Sequence, residues 1–206
     1  MSQFHPHLSI LANAQQAVWT KLDFTLGQFV LYGGTAIALR LGHRASEDFD
    51  FFSFVALDPA AFRRSHPLLA TGEILQLEPN TLSLLVTEAN DTVKLSFFGG
   101  LTFKQIQEPD TTADGLCRVA SLPDLFATKL NTVYQRAEAK DYLDIHAILQ
   151  SGLTLGEGLE FARGVYGANF NAMLPLQALC YFEEPGLKEL PGAVKESLTA
   201  AVRSVR

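Results

Sequence analysis

The chain has 206 residues, 48% hydrophobic and 18% charged, an ordinary globular composition with enough length to bury a core, which excludes a disordered or fibrous protein. A formal net charge of −6 and the lack of any basic tract exclude extensive gripping of duplex nucleic acid, because that binding is driven by Lys and Arg neutralising phosphates. No apolar run approaches the roughly 20 residues that span a bilayer, and MSQFHPHLSI lacks a signal-peptide pattern, so a soluble, cytoplasmic protein with no membrane partner is expected.

In chain order, Leu8 to Leu22 carries apolar residues at helical spacing and predicts an amphipathic helix. Its Trp19 reads as a packing residue, and His5 and His7 as part of a frayed terminus. Phe29 to Tyr32 predicts a short buried strand that stops at a Gly33-Gly34 turn, with a helix over Thr35 to Leu41. Asp48 to Phe54 alternates aspartate with phenylalanine, the pattern of a strand with one polar and one buried face. A helix capped by Asp58, with Pro59 in its first position, is expected over Leu57 to Leu69. Three strands follow, Glu73 to Glu78, Thr81 to Thr87 and Thr92 to Phe98. Pro79-Asn80 and Asn90-Asp91 supply the turn chemistry of an antiparallel meander.

Gly115 to Ala120 adds one more short strand, and from Ser121 the pattern turns helical. Ser121 with Asp124 three residues on resembles a capping box. Further helices are expected over Ala139 to Leu149, Leu155 to Tyr166, Asn171 to Tyr181 and Ala193 to Arg203. The plan is α+β: a mixed sheet flanked by helices, followed by a C-terminal helical bundle. Cys117 and Cys180 lack metal-type spacing and read as reduced, buried thiols. His146, among Ile145, Ala147 and Ile148, reads as a satisfied core histidine.

Two stretches carry chemistry. In LYGGTAIALRLGHRASEDFDFF, glycines without side chains let a phosphate approach the backbone, and the amides of the turn and helix start can cradle it. Asp48 and Asp50 lie two apart on a strand, so both carboxylates leave the same face, an arrangement that suits Mg²⁺ with substrate phosphates. Few structural reasons place two aspartates among Phe49, Phe51 and Phe52. In the second stretch, DLFATKLNTVYQRAEAKDYLDIHAIL, the residues Lys129, Thr132 and Arg136 share one helical face. Asp141 and Asp144 follow at i, i+3, and Lys140 and Asp144 at i, i+4. Spacing alone favours a solvated face laced with weak ion pairs here.

Together the two stretches resemble the AbiEii-type nucleotidyltransferase-like toxin family of the DNA polymerase β-like superfamily. The matching residues are Gly33, Gly34, Thr35, Leu39, Leu41, Arg44, Ser46, Glu47, Asp48 and Asp50, then Asp124, Lys129, Arg136, Lys140, Asp141 and Asp144. The resemblance runs from about Phe29 to Leu149, and the C-terminal tail adds nothing to it.

The resemblance implies a nucleotidyltransferase-like core over 1–120 and a helical region over 121–206, or one continuous domain. It implies Mg²⁺ held by Asp48 and Asp50 against an NTP. It further implies phosphate or nucleotide contacts from Gly33, Gly34, Thr35, Arg44, Ser46, Arg136 and Lys140, and a catalytic set completed by Lys129, Asp141 and Asp144. The activity implied is transfer of NMP from the NTP to an RNA end such as tRNA, or to a protein, by the toxin of a toxin–antitoxin or phage-defence pair with an antitoxin partner.

One departure stands out. Ser96 occupies the place of the superfamily's third carboxylate, and serine is a poor Mg²⁺ ligand. Either Asp141 or Asp144 substitutes, or the chain is a catalytically degenerate nucleotide-binding or partner-binding module with the same fold. Glu73, Glu78 and Glu88 are weaker stand-ins, their strand register being open.

Overall fold

A computed structural model describes residues 3–205. The chain divides into two compact units, one of residues 1–102 and 108–120, the other of residues 103–107 and 121–206. Among the described residues, no helix is long and apolar enough to cross a membrane.

The first unit holds the whole sheet. Its strands are β1 (Gln3–Phe4), β2 (Val30–Tyr32), β3 (Asp48–Phe52), β4 (Glu73–Glu78), β5 (Thr81–Glu88), β6 (Asp91–Phe98), β7 (Asp110–Thr112) and β8 (Arg118–Val119). They lie in the order β1-β7-β8-β2-β3-β6-β5-β4. The sheet is mixed: β3 runs parallel to β6 and antiparallel to β2, while β4, β5 and β6 form the expected meander. Both hairpin turns need positive φ, which Asn80 supplies in one and Ala89 with Asn90 in the other. Strands β1 and β7 were not foreseen, because pieces of two and three residues are too short to show an alternating pattern.

Helices α1 (Asn13–Trp19), α2 (Gly33–Leu41), α3 (Pro59–Ser65) and α4 (Pro67–Ala70) complete this unit. The long N-terminal helix expected over 8–22 breaks into a 3-10 turn at Leu8–Ile10, α1, and a second 3-10 turn at Leu22–Thr25. The backbone is extended at Leu11 and Ala12, and the Ala12 amide donates to Gln15 Oε1 at 3.0 Å. The helix expected over 57–69 also splits. His66 is extended because Pro67 crowds the helical conformation of the residue before it. His7 is tied down rather than frayed: its amide donates to Leu39 O at 2.8 Å, and its ring sits over Gly42.

One face of the sheet packs a core of Phe49, Phe51, Leu82, Leu84, Leu95 and Phe97, each fully buried. Phe29 and Phe62 pack edge-on against Phe97, and Phe51 stacks on it, which is where many of the 15 phenylalanines go.

Trp19, buried as expected, also has a polar partner: its Nε1 donates to Asp114 Oδ2 at 2.8 Å. Thr112 Oγ1 donates to Asp114 Oδ1 at 2.6 Å. Burial raises the Asp114 pKa, but the hydrogen bonds from Thr112, Trp19 and the Leu116 amide together outweigh it and hold the pKa below the ordinary 3.8. A depressed carboxyl stabilises the fold above its unfolded pKa and loses that contribution as pH falls through the folded value. Asp114→Ala is therefore expected to lower stability by about 0.5–1 kcal/mol at pH 7, a modest figure because the residue is largely exposed, with the difference from wild type starting to shrink below pH 3.8 and vanishing only below the lower folded value. Denaturant unfolding followed by fluorescence of the sole tryptophan checks this, and a difference that persists in acid would refute it.

The second unit is helical: α5 (Leu122–Thr132), α6 (Ala139–Gln150), α7 (Leu155–Tyr166), α8 (Met173–Ala178), α9 (Pro185–Lys188) and α10 (Gly192–Ser204). Ser121 caps α5 by accepting from the Asp124 amide at 3.1 Å. The buried Asp124 carboxylate in turn accepts from the amides of Ile106 and Gln107 at 2.7 and 3.1 Å, which fixes segment 103–107 in this unit. Gly158 of α7 lies against the Phe126 ring, where a Cβ would come within 2.5 Å, so glycine is what allows α5 and α7 to pack so closely. His146 Nδ1 lies 3.2 Å from Ser197 Oγ, a satisfied histidine. Cys117 is buried, and burial pushes its thiol well up, but Cys180 is exposed, contrary to expectation.

Candidate active site

In the first unit, Gly33 begins α2 directly after β2, at φ +73°, a left-handed conformation that disfavours any side chain. A Cβ there would lie 3.0 Å from Asp50 Oδ2, so the missing side chain leaves room beside that carboxylate. Thr35, 2% exposed, follows two residues on. Its hydroxyl lies 2.7 Å from Ser46 Oγ and also bonds the carbonyl oxygen of Asp48. These buried contacts pin the start of β3 to α2, so both hydroxyls serve the position of the carboxylates. Arg44 Nη1 donates to Ala45 O at 2.8 Å in the connecting loop.

Asp48 and Asp50 leave the same face of β3, half-exposed, while Phe49 and Phe51 fill the core on the other. The parallel register sets Asp48 beside Lys94 and Asp50 beside Ser96. Ser96 is 1% exposed. Lys94 Nζ stands 3.9 Å from Asp48 Oδ2. The register also disposes of the glutamates weighed as a third acid. Glu73 and Glu78 are on the exposed edge strand β4, and Glu73 is three strands from Asp48, about 14 Å at the usual spacing. Glu88 pairs with Lys21. Among the described residues, no group of three or more His, Cys, Asp or Glu side chains is arranged to hold a metal. On the same face, Tyr32 stacks on Phe52, ring centroids 4.8 Å apart, and Phe98 meets Phe52 edge-on.

In the second unit, spacing alone pointed to a solvated charged face, and the structure shows the reverse. Lys129 is 6% exposed, and Asp141 and Asp144 are fully buried. Lys129 Nζ lies 2.8 Å from Asp141 Oδ1 and 2.9 Å from Asp144 Oδ2. Arg136, beyond the end of α5 rather than on its face, donates through Nε to Asp141 Oδ2 at 2.9 Å and through its Nη2 to Oδ1 at 3.2 Å. The spacing was right that the i, i+3 carboxylates share one side of α6; it could not say that α5 covers that side. Lys140 stays outside the cluster, 51% exposed and paired with Glu138 at 2.9 Å rather than with Asp144. The charge of Asp141 adds to burial in pushing the neighbouring Tyr142 hydroxyl up to about 12. Asp141 is thus held by both Lys129 and Arg136, and Asp144 through Oδ2 by Lys129.

Lys94 is the site residue that sequence reading passed over. It stands two residues before Ser96, and the same two-residue alternation that grouped Asp48 with Asp50 puts Lys94 on their face.

Comparison with known proteins gives these features a family. A solved structure of MenT4, a nucleotidyltransferase toxin from Mycobacterium tuberculosis H37Rv, shares the fold with a TM-score of 0.60 at 15% identity, over 94% of this chain and 84% of that one. An uncharacterized protein of Aquifex aeolicus (strain VF5) is 30% identical over 159 residues, 76% of this chain and 74% of the relative. The family model described as nucleotidyl transferase AbiEii toxin, Type IV TA system, matches residues 21–203. That span includes the C-terminal helices, so the similarity does not stop near Leu149. The chain belongs to the AbiEii nucleotidyltransferase toxin family.

Proposed function

We propose that this chain is a divalent-metal-dependent nucleotidyltransferase that moves NMP from an NTP to an acceptor hydroxyl, with the end of an RNA such as tRNA as the acceptor class and a protein hydroxyl as the second choice. The observation that carries the reading is the pair of half-exposed carboxylates, Asp48 and Asp50, on one sheet face beside a glycine turn whose missing Cβ leaves space at Asp50. Hard oxygen donors on an open face fit Mg²⁺, and Asp48 and Asp50 would hold it. When bound, the ion supplies charge neutralisation to the nucleotide's phosphates.

The protein's own groups do the rest. The Gly33-Gly34 turn and the first amides of α2 offer donors to phosphate oxygens beside the Asp50 carboxylate. Arg44 and Ser46 lie in the loop that leads into β3, and they are the further side chains we assign to phosphate contacts. Thr35 supports it from beneath through Ser46 and the Asp48 carbonyl. In the second unit, the family resemblance gives Lys129 the role of a cation for phosphate charge. Asp141 and Asp144 hold the Lys129 ammonium in place, and Arg136 braces Asp141. The exposed Lys140 is available to the acceptor's backbone. The acceptor oxygen bonds to the α-phosphorus as the bond from that phosphorus to the leaving oxygen breaks. The electron pair departs with pyrophosphate, and the hydroxyl proton passes to water.

Membership of a toxin family fits an antitoxin partner and action in the cytoplasm, where NTPs and RNA are found. The test is incubation of the chain with each α-labelled NTP, Mg²⁺ and total RNA, alongside Asp48→Ala/Asp50→Ala. Label appearing on RNA, or on a protein, with wild type only is the expected result and identifies nucleotide and acceptor class. Mg²⁺-dependent NTP binding without transfer would replace this reading with the degenerate binding module, for which the neutral Ser96 is the favouring observation.

A further inference from the structure

The Asp48–Lys94 pair is not explained by the fold. Its 3.9 Å separation is long for an ion pair, and the two side chains are 43% and 40% exposed, so it contributes little to stability. It lies instead on the face where the nucleotidyltransferase plan calls for three carboxylates. Here that face carries two carboxylates, the neutral and buried Ser96, and one ammonium. The formal charge of the group is therefore −1, where three acids would give −3. Two divalent cations side by side need several carboxylate ligands to offset their mutual repulsion, and this face lacks them.

We propose that Lys94 takes the place of a second metal ion. The site binds one divalent cation through Asp48 and Asp50, and the Lys94 ammonium supplies the other positive charge to the nucleotide's phosphates. Without nucleotide, Lys94 neutralises Asp48 and so competes with the cation. With nucleotide present, its charge turns to the phosphates, and cation and ammonium work together. The loss of the acid at position 96 and the gain of a base beside Asp48 are then two halves of one exchange. This inference rests on the reading of Asp48 and Asp50 as metal ligands.

The competition gives effects of opposite sign, which a structural role for Lys94 would not produce. Mn²⁺ binding to the full chain is measured by the electron paramagnetic resonance signal of the free ion, with and without a non-hydrolysable α,β-methylene NTP. Wild type is expected to bind one Mn²⁺ per chain in the presence of the analogue. Lys94→Met should bind Mn²⁺ alone about tenfold more tightly, because a repelling charge is gone, and the analogue about tenfold more weakly. Lys94→Arg should keep both wild-type affinities, and Lys94→Met/Ser96→Asp should take up a second Mn²⁺. Two Mn²⁺ per wild-type chain with the analogue, or Mn²⁺ affinity unchanged or weakened in Lys94→Met, would overturn the proposal while leaving the metal-dependent reading intact. Failure of wild type to bind Mn²⁺ under either condition would overturn both.

Discussion

Asp50→Asn is expected to reduce nucleotidyl transfer by about a thousandfold while leaving the protein folded. Asparagine keeps the size of the side chain, so the close approach to Gly33 and the strand register against Tyr32 and Ser96 survive. What disappears is half the negative charge available to hold a divalent cation. In a site with three acids the remaining two would soften the loss. Here the neighbour across the strand is Ser96, which carries no charge. Steady-state transfer of labelled NMP reads the rate, and thermal unfolding within about 2 °C of wild type would confirm that the fold is unharmed. Retention of activity to within tenfold would remove Asp50 from the metal site and with it the main support for catalysis.

The carboxylate pair was legible in the sequence because a strand has a two-residue period, and aspartates alternating with buried phenylalanines admit one arrangement. The same period placed Ser96, and would have placed Lys94 had charge been considered alongside the missing acid. Helices carry less information of this kind. The spacing of Asp141 and Asp144 defined a side of α6, but whether that side meets water or another helix depends on packing that spacing does not encode. Short-range chemistry also broke elements that periodicity joined. Pro67 ends α3 at Ser65, and the extended Leu11 and Ala12 interrupt an apolar stripe that continues across them. Strands as short as β1 and β7 are made by their partners in the sheet rather than by their own composition.

Lys129→Met is expected to show two separable losses, one of stability and one of transfer. The ammonium sits between two fully buried carboxylates, and removing it leaves an uncompensated negative charge, a change that costs about 3–5 kcal/mol and lowers the melting temperature by roughly 10 °C. An inactive Lys129→Met protein would therefore say little by itself about catalysis. The charge-balanced double variant Lys129→Met/Asp144→Asn separates the two effects. It removes one charge of each sign and keeps the Arg136–Asp141 pair, so most of the lost stability should return. If the ammonium acts on the nucleotide, transfer should stay at the level of the single variant although the fold is restored. Recovery of transfer together with stability would reduce Lys129 to a structural counter-ion, and catalysis would then rest on Asp48, Asp50 and the phosphate-binding turn.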